Sequence, residues 1–364
     1  MTSDKKFKLL LNTMIVTVLS LLLFLSSCPE EPDNYDDSDT TSHDFLWETY
    51  TFGDLASNDL NDVVVVDENN IWAVGEIFVY DPDSSWNGTG IETFNAVHWN
   101  GTEWEYIHIR GSLMNDTGPL YSIWYFDDND IWVSSGCPEH WDGTKWTLYH
   151  LWDMGILSND DGGVYRIWAS SPSNIYFVGY KGSIVHYDGK NFRKLESGTT
   201  LDIRDIWGAK NKRSGKWEIL AVASNDQDKC LLRIQNNIAT KLSVTGLSNI
   251  LDGIWFIPNY QYYVVGAGIH YKSKLDDSPW SCYSSGEVTS YQSHRISGAG
   301  INDIFVVGSY CEVVHYNGST WYNYRNEIPL AGGAFGGISV KDNLVAISGY
   351  IGREAIVIIG RRQL

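Results

Sequence analysis

The sequence predicts an all-β fold: a seven-bladed β-propeller of four-stranded antiparallel blades, closed by an N-terminal strand that completes the last blade. Three observations point there. Composition is the first: the 364 residues include 16 Trp, 22 Tyr and 34 Gly but only 4 Met, a mixture rich in strand and turn formers and poor in helix formers. The second is a repeat. Trp72, Trp132, Tyr176, Ala221, Val264, Phe305 and Val345 occupy equivalent positions and advance in steps of 60, 44, 45, 43, 41 and 40 residues, the period of a propeller blade. The third is that each unit reads as four short strands with turn signals between them.

Residues 1–27 read as a secretory leader, with Lys5, Lys6 and Lys8 ahead of an apolar run from Leu9 to Leu25. That run is short for a membrane span and is interrupted by Ser and Thr. It ends in Leu25-Ser26-Ser27-Cys28, which resembles the bacterial lipobox. The resemblance implies cleavage before Cys28 and diacylglycerol on its sulfur; an ordinary signal peptide containing Cys is the alternative. Residues 28–44 are acidic and contain Pro, with almost nothing to bury, and are expected to form a disordered tether. In the lipoproteins this segment resembles, Asp directly after the Cys retains the protein in the inner membrane. Here the residue is Pro29. The acidic run behind it resembles the export signal of surface lipoproteins in Bacteroidetes-like bacteria, which implies an outer-membrane address, outward-facing; a plain spacer is the alternative.

The chain carries 26 basic and 45 acidic residues, a formal charge of −19. Without residues 1–27 the counts are 23 and 44, or −21. Such a surface repels phosphate backbones, so nucleic acid is excluded as a partner. Cys137, Cys230, Cys282 and Cys311 match no zinc or redox spacing. Buried free thiols are expected, with a Cys282–Cys311 pair the alternative.

The domain spans residues 45–364. Its clearest unit runs Val164–Trp168, Asn174–Gly179, Ile184–Gly189 and Asn191–Leu195. The same order recurs around Ile71-Trp72 with His98-Trp99-Asn100-Gly101, around Ile131-Trp132 with His140-Trp141-Asp142-Gly143, and around Ile304-Phe305 with His315-Tyr316-Asn317-Gly318. Weaker copies contain Ile206-Trp207 and Ile254-Trp255. Each Asn-Gly or Asp-Gly predicts a type I′ hairpin. The seventh unit has three strands, near Gly337, Val345 and Ile356, and Leu46–Thr51 supplies the fourth from the other end of the domain. Closure of that kind removes exposed sheet edges.

On these motifs the chain resembles bacterial seven-bladed propellers, including exported lipoproteins whose repeats read Ile-Trp, Gly, then Tyr-Asp-Gly followed by Trp. The turn is distantly similar to the Asp-box of sialidases, but departs from it because Asp142-Gly143 and Asp188-Gly189 are adjacent. The resemblance implies fold more than function, since propellers host enzymes and pure interaction platforms alike.

His98, His140, His186, His270 and His315 recur on third strands. They are too far apart to share one ion, so each is expected to fix its neighbouring hairpin by a hydrogen bond. The Trp of first strands (Trp124, Trp168, Trp207, Trp255) and of last strands (Trp104, Trp146, Trp321) are assigned to blade-to-blade packing.

Long connections at residues 80–95, 110–119, 149–163 and 276–292 are placed on one face of the ring, which is the expected binding face. They offer Asp81, Asp83, Trp86, Trp152, Asp153, Asp160, Asp161, Trp280 and Tyr291, suited to sugar stacking or to a docking protein. No cofactor motif is found; Ca²⁺ is the one ion these carboxylates suit. A second set surrounds the mouth of the central channel: Asp62, Arg166, Arg204, Asp205, His294 and Arg295. It reads either as a belt of contacts between blades or as a glycan-processing site with Arg holding a carboxylate and Asp as acid or base. The leading expectation is a membrane-anchored, non-enzymatic platform for an envelope protein or glycan, with a glycan hydrolase or lyase as the alternative.

Overall fold

The structure, a computed structural model, describes residues 39–55, 57–82, 90–109, 118–283 and 286–363. The leader, Cys28 and most of the tether lie outside the described residues, as do Asp83 and Trp86. From Thr40 onward the chain forms seven four-stranded antiparallel sheets. Blade 1 is β2–β5 (Asp59–Asp67, Asn70–Tyr80, Ile91–Trp99, Trp104–Ile107), and blade 2 is β6–β9 (Ser122–Asp127, Asp130–Ser134, Pro138–Trp141, Trp146–Leu148). Blade 3 is β10–β13 (Val164–Ser171, Asn174–Gly179, Ile184–Tyr187, Phe192–Leu195), and blade 4 is β14–β17 (Ile203–Lys210, Trp217–Ser224, Lys229–Gln235, Ile238–Leu242). Blade 5 is β18–β21 (Leu251–Ile257, Gln261–Gly266, Gly268–Lys272, Ser281–Cys282), and blade 6 is β22–β25 (Ser293–Gly300, Asp303–Gly308, Val313–Tyr316, Trp321–Asn323).

Blade 7 is assembled from both ends of the domain. Its inner strands are β26–β28 (Gly333–Lys341, Leu344–Ile351, Glu354–Arg362), and β1 (Phe45–Phe52) pairs with β28 from Phe45↔Arg362 to Phe52↔Ala355. The first strands of successive blades are neighbours all the way round, and β26 returns to β2. Apolar side chains collect into seven clusters among the described residues, one at each blade interface. Loss of one large apolar side chain from such a cluster costs about 2–5 kcal/mol.

The turns before the last strands differ from the type I′ expectation. Gly101, Gly143, Gly189 and Gly318 have positive φ, but Asn100, Asp142, Asp188 and Asn317 do not. These are four-residue loops in which Oδ1 of the leading Asn or Asp accepts two backbone N–H groups. Asn100 takes those of Thr102 and Glu103, and Asp188 takes those of Lys190 and Asn191. The side chain does what a second left-handed residue would otherwise do.

The third-strand histidines pin hairpins as expected. His98, His140, His186 and His315 place Nε2 at 3.0, 2.9, 2.8 and 3.0 Å from Asn70, Asp130, Asn174 and Asp303, the residues that open the second strands. His270 reaches Ser248 instead, at 3.1 Å. The four cysteines are unpaired; three are buried and Cys282 is exposed.

Candidate functional site

Every first strand carries the same irregularity. The register with the second strand shifts between residues 60 and 62, 164 and 166, 203 and 205, 251 and 253, 293 and 295, and 335 and 337. In blade 2, Tyr121 donates its amide to the carbonyl of Ser134, which also pairs with Ser122. Such a bulge sets two residues against one and re-aims side chains. The repeat glycine makes room for it: a Cβ on Gly75, Gly179, Gly266, Gly308 or Gly349 would lie 2.0–2.1 Å from a first-strand or adjoining carbonyl oxygen. The bulged column reads Asn61, Tyr121, Tyr165, Arg204, Asp252, His294 and Gly336, followed by Asp62, Ser122, Arg166, Asp205, Gly253, Arg295 and Gly337.

These two columns build the mouth. A cavity of about 130 Å³ is lined by Asn61, Tyr121, Tyr165, Arg166, Tyr180, Asp202, Ile203, Arg204 and Arg295. A channel of about 270 Å³ shares Arg166 and Arg295 with it and adds Asp62, Asp205 and apolar walls. The two arginines therefore stand between mouth and channel. Tyr165 packs on Tyr121 at 4.6 Å and on Tyr180 at 4.2 Å between ring centroids. Burial pushes the Tyr165 phenol up to about 12, so it stays protonated.

The carboxylates around the channel are turned into the ring wall. Asp62 accepts from Ser122 Oγ at 2.8 Å and from the Ile123 amide at 3.1 Å, with Arg166 Nη1 at 3.7 Å. Asp205 accepts from the Ile254 amide at 3.0 Å. Burial raises both acids, Asp205 to about 7, against the pull of Arg166. Arg166 Nη1 donates to the Tyr121 carbonyl at 2.9 Å, and Arg295 Nη1 to the carbonyls of Asp252 and His294 at 2.6 and 2.7 Å. His294 lies 3.2 Å from the Phe335 carbonyl and 3.1 Å from Ser309 Oγ, on the rim toward blade 7. Most of these contacts join neighbouring first strands. The belt between blades is thus made mainly of hydrogen bonds to backbone, with one ion pair.

The loop residues are dispersed by comparison. Asp81 opens the second-to-third-strand loop of blade 1, its amide bonded to the Gly90 carbonyl. Trp152, Asp153, Asp160 and Asp161 lie in the connection from blade 2 to blade 3, where they hold the loop together. Trp152 donates to the Ser158 carbonyl, Asp153 faces His150 at 3.1 Å, and Asp161 pairs with Lys194 at 2.8 Å. Lys181 Nζ stands 3.3 Å from the Asp160 carbonyl. Two lysines beside these acids disfavour Ca²⁺ there. Tyr291 stacks near Tyr310 and accepts from Arg325 at 3.0 Å.

Trp280 requires a correction. Because β21 divides residues 276–292, Trp280 belongs to the connection between the third and fourth strands of blade 5. Its ring is 5% exposed and packs with Leu247, Leu251 and Tyr262, so it is core. Charge singles out Arg204 and His294 in the bulged column, but Tyr121 and Tyr165 of the same column line the cavity. Their signal was present: they occupy the same repeat position as Arg204. Tyr180 and Asp202 come from loops that carry no such signal.

The geometry defines a closed seven-bladed propeller with an aromatic and guanidinium-lined mouth. No family model matches the chain, and no curated protein does. Among solved structures it is similar to YCF48 bound to D1 peptide (16% identity, TM-score 0.62, covering 92% of this chain and 100% of that one). It is also similar to YCF48 from Cyanidioschyzon merolae (13%, 0.60, 87% and 98%) and to the WD40 β-propeller domain of Doa1 (12%, 0.60, 87% and 97%). At these identities the likeness is one of fold.

Proposed function

We propose that this chain is a non-enzymatic interaction platform of the bacterial cell envelope, anchored through diacylglycerol on Cys28, that binds a protein segment at its channel mouth. The observation that carries the reading is the mouth itself. The ring's repeat converges side chains from several blades on one cavity, while the nearby acids serve as struts between blades. A peptide-bound propeller of the same fold supports it. The lipobox resemblance, Pro29 and the acidic tether support an outer-membrane, outward-facing address.

A photo-crosslinking residue at Tyr180, compared with one at the exposed Trp217 of β15, tests the platform in living cells. A discrete crosslinked partner from position 180 alone is expected; equal patterns from both would remove the mouth from consideration. Fatty-acid labelling that persists in Cys28→Ser would refute the anchor. One observation favours a glycan-processing alternative, namely Asp205 held near neutrality, as a general acid requires. Glycan turnover abolished in a folded Asp205→Asn variant would establish that alternative.

A further inference from the structure

We infer that the mouth is a receptor for the C-terminal carboxylate of an extended peptide. This rests on the platform reading above and names the chemistry of its ligand.

Charge is the first argument. On a chain of −19, the mouth cavity is lined by three guanidinium groups, Arg166, Arg204 and Arg295, and one carboxylate, Asp202, with a second, Asp252, beside it in the bulged column and accepting from Gln292 at 2.6 Å. Asp202 already accepts the Lys181 amide at 3.0 Å and lies 3.6 Å from Arg204. Asp62 and Asp205 line the channel rather than the mouth and are bonded to the wall. An opening in which guanidinium groups outnumber carboxylates, set within an acidic surface, favours an anion locally.

The second argument is unspent hydrogen-bonding capacity. All hydrogen bonds of Arg166 and Arg295 run from Nη1 to backbone carbonyls. Nη2 and Nε of both have no partner among the described residues. Each guanidinium is therefore fixed in place with part of its fork free, the arrangement that takes a carboxylate bidentately.

Shape is the third. The cavity is about 130 Å³, the size of a side chain or chain end, with Tyr121, Tyr165 and Tyr180 beside it. An internal Asp or Glu would force the peptide to enter and leave through the same opening, whereas a chain end enters once. The tyrosine rings then flank the residue ahead of the carboxylate and favour an apolar or aromatic side chain there.

The test is an array of random hexapeptides coupled through their N-termini, in one version with free C-terminal carboxylates and in the other amidated, probed with the detergent-purified mature protein. Peptides selected on the free-acid array are expected to lose at least about tenfold in affinity on amidation, and again in Arg166→Gln/Arg295→Gln. Amidation changes only the ligand, so that arm stands even where a variant does not fold. Equal binding of acid and amide would overturn recognition of the chain end while leaving the peptide platform in place. Binding to neither array would overturn both. Displacement of bound peptide by N-acetylneuraminic acid below its amidated analogue's concentration would assign the carboxylate site to a glycan instead.

Discussion

Two rings of repeated positions run through this molecule, and they behave differently. In the outer ring the third-strand histidine meets an Asn or Asp at the head of the second strand in four blades, at 2.8–3.0 Å each time. Chemistry repeats there along with geometry. In the inner ring the bulge repeats, but its occupants run from Asn61 through Tyr165 and Arg204 to Gly336. A position that must close a hairpin has one good solution and is filled the same way in blade after blade. A position freed by the bulge to face a cavity has no such constraint, and its variety around the ring builds a site with a distinct shape and charge.

The outer ring should break hardest at blade 6. His315 is fully buried between Asp303 and His43; since Nε2–H donates to Asp303, its Nδ1 accepts from His43 Nδ1–H at 2.8 Å. His315→Ala leaves Asp303 and Arg362 facing each other without it, and denaturant unfolding should show a loss of about 3–5 kcal/mol. The same substitution at His186, which loses one hydrogen bond to Asn174, should cost about 1–2 kcal/mol and leave binding at the mouth unchanged. A loss of binding in that variant would erase the distinction between the rings.

For the inner ring the expected pattern is reversed. Tyr180 is 43% exposed, and Tyr180→Ala should change stability by no more than about 0.5 kcal/mol while weakening ligand binding, measured side by side on one preparation. The smallest effect is a pH signature that separates the rings by sign. Asp205 is raised from 3.8 to about 7, so its contribution is complete below 3.8 and is lost as pH rises through 7. His43 is lowered from 6.5 to about 4, so its contribution is complete above 6.5 and is lost as pH falls through 4. Asp205→Asn should therefore raise the thermal midpoint relative to the parent at pH 8 and leave it nearly unchanged at pH 4. Equal shifts at both would contradict the assignment.

The fold was readable because its signal is redundant: seven aligned positions, recurring turns and an unpaired strand at one end all require the same ring. The mouth was half readable. Arg166, Asp205 and Arg295 follow from aligning first strands, but the bulge that brings Tyr165 and Arg204 into the cavity depends on backbone register. Strict alternation would have sent those side chains to the other face. Trp280 was misplaced because a two-residue strand carries too little pattern to divide a loop, and an aromatic in a polar segment looks the same whether it faces solvent or packs inward.

Strand β1 begins opposite Arg362, on the side of the ring where third strands turn into fourth ones, away from the bulged ends of the first strands. Just ahead of it Thr41 exchanges hydrogen bonds with Asn317, and Tyr324 donates to the His43 carbonyl. The chain therefore enters blade 7 on the side of the ring opposite the mouth. Any tension applied to the chain just ahead of β1 would reach the ring through the strand that closes it. Because β1 lies antiparallel along β28 over eight residue pairs, a pull along its axis would strain the ladder in shear, with all its rungs sharing the force.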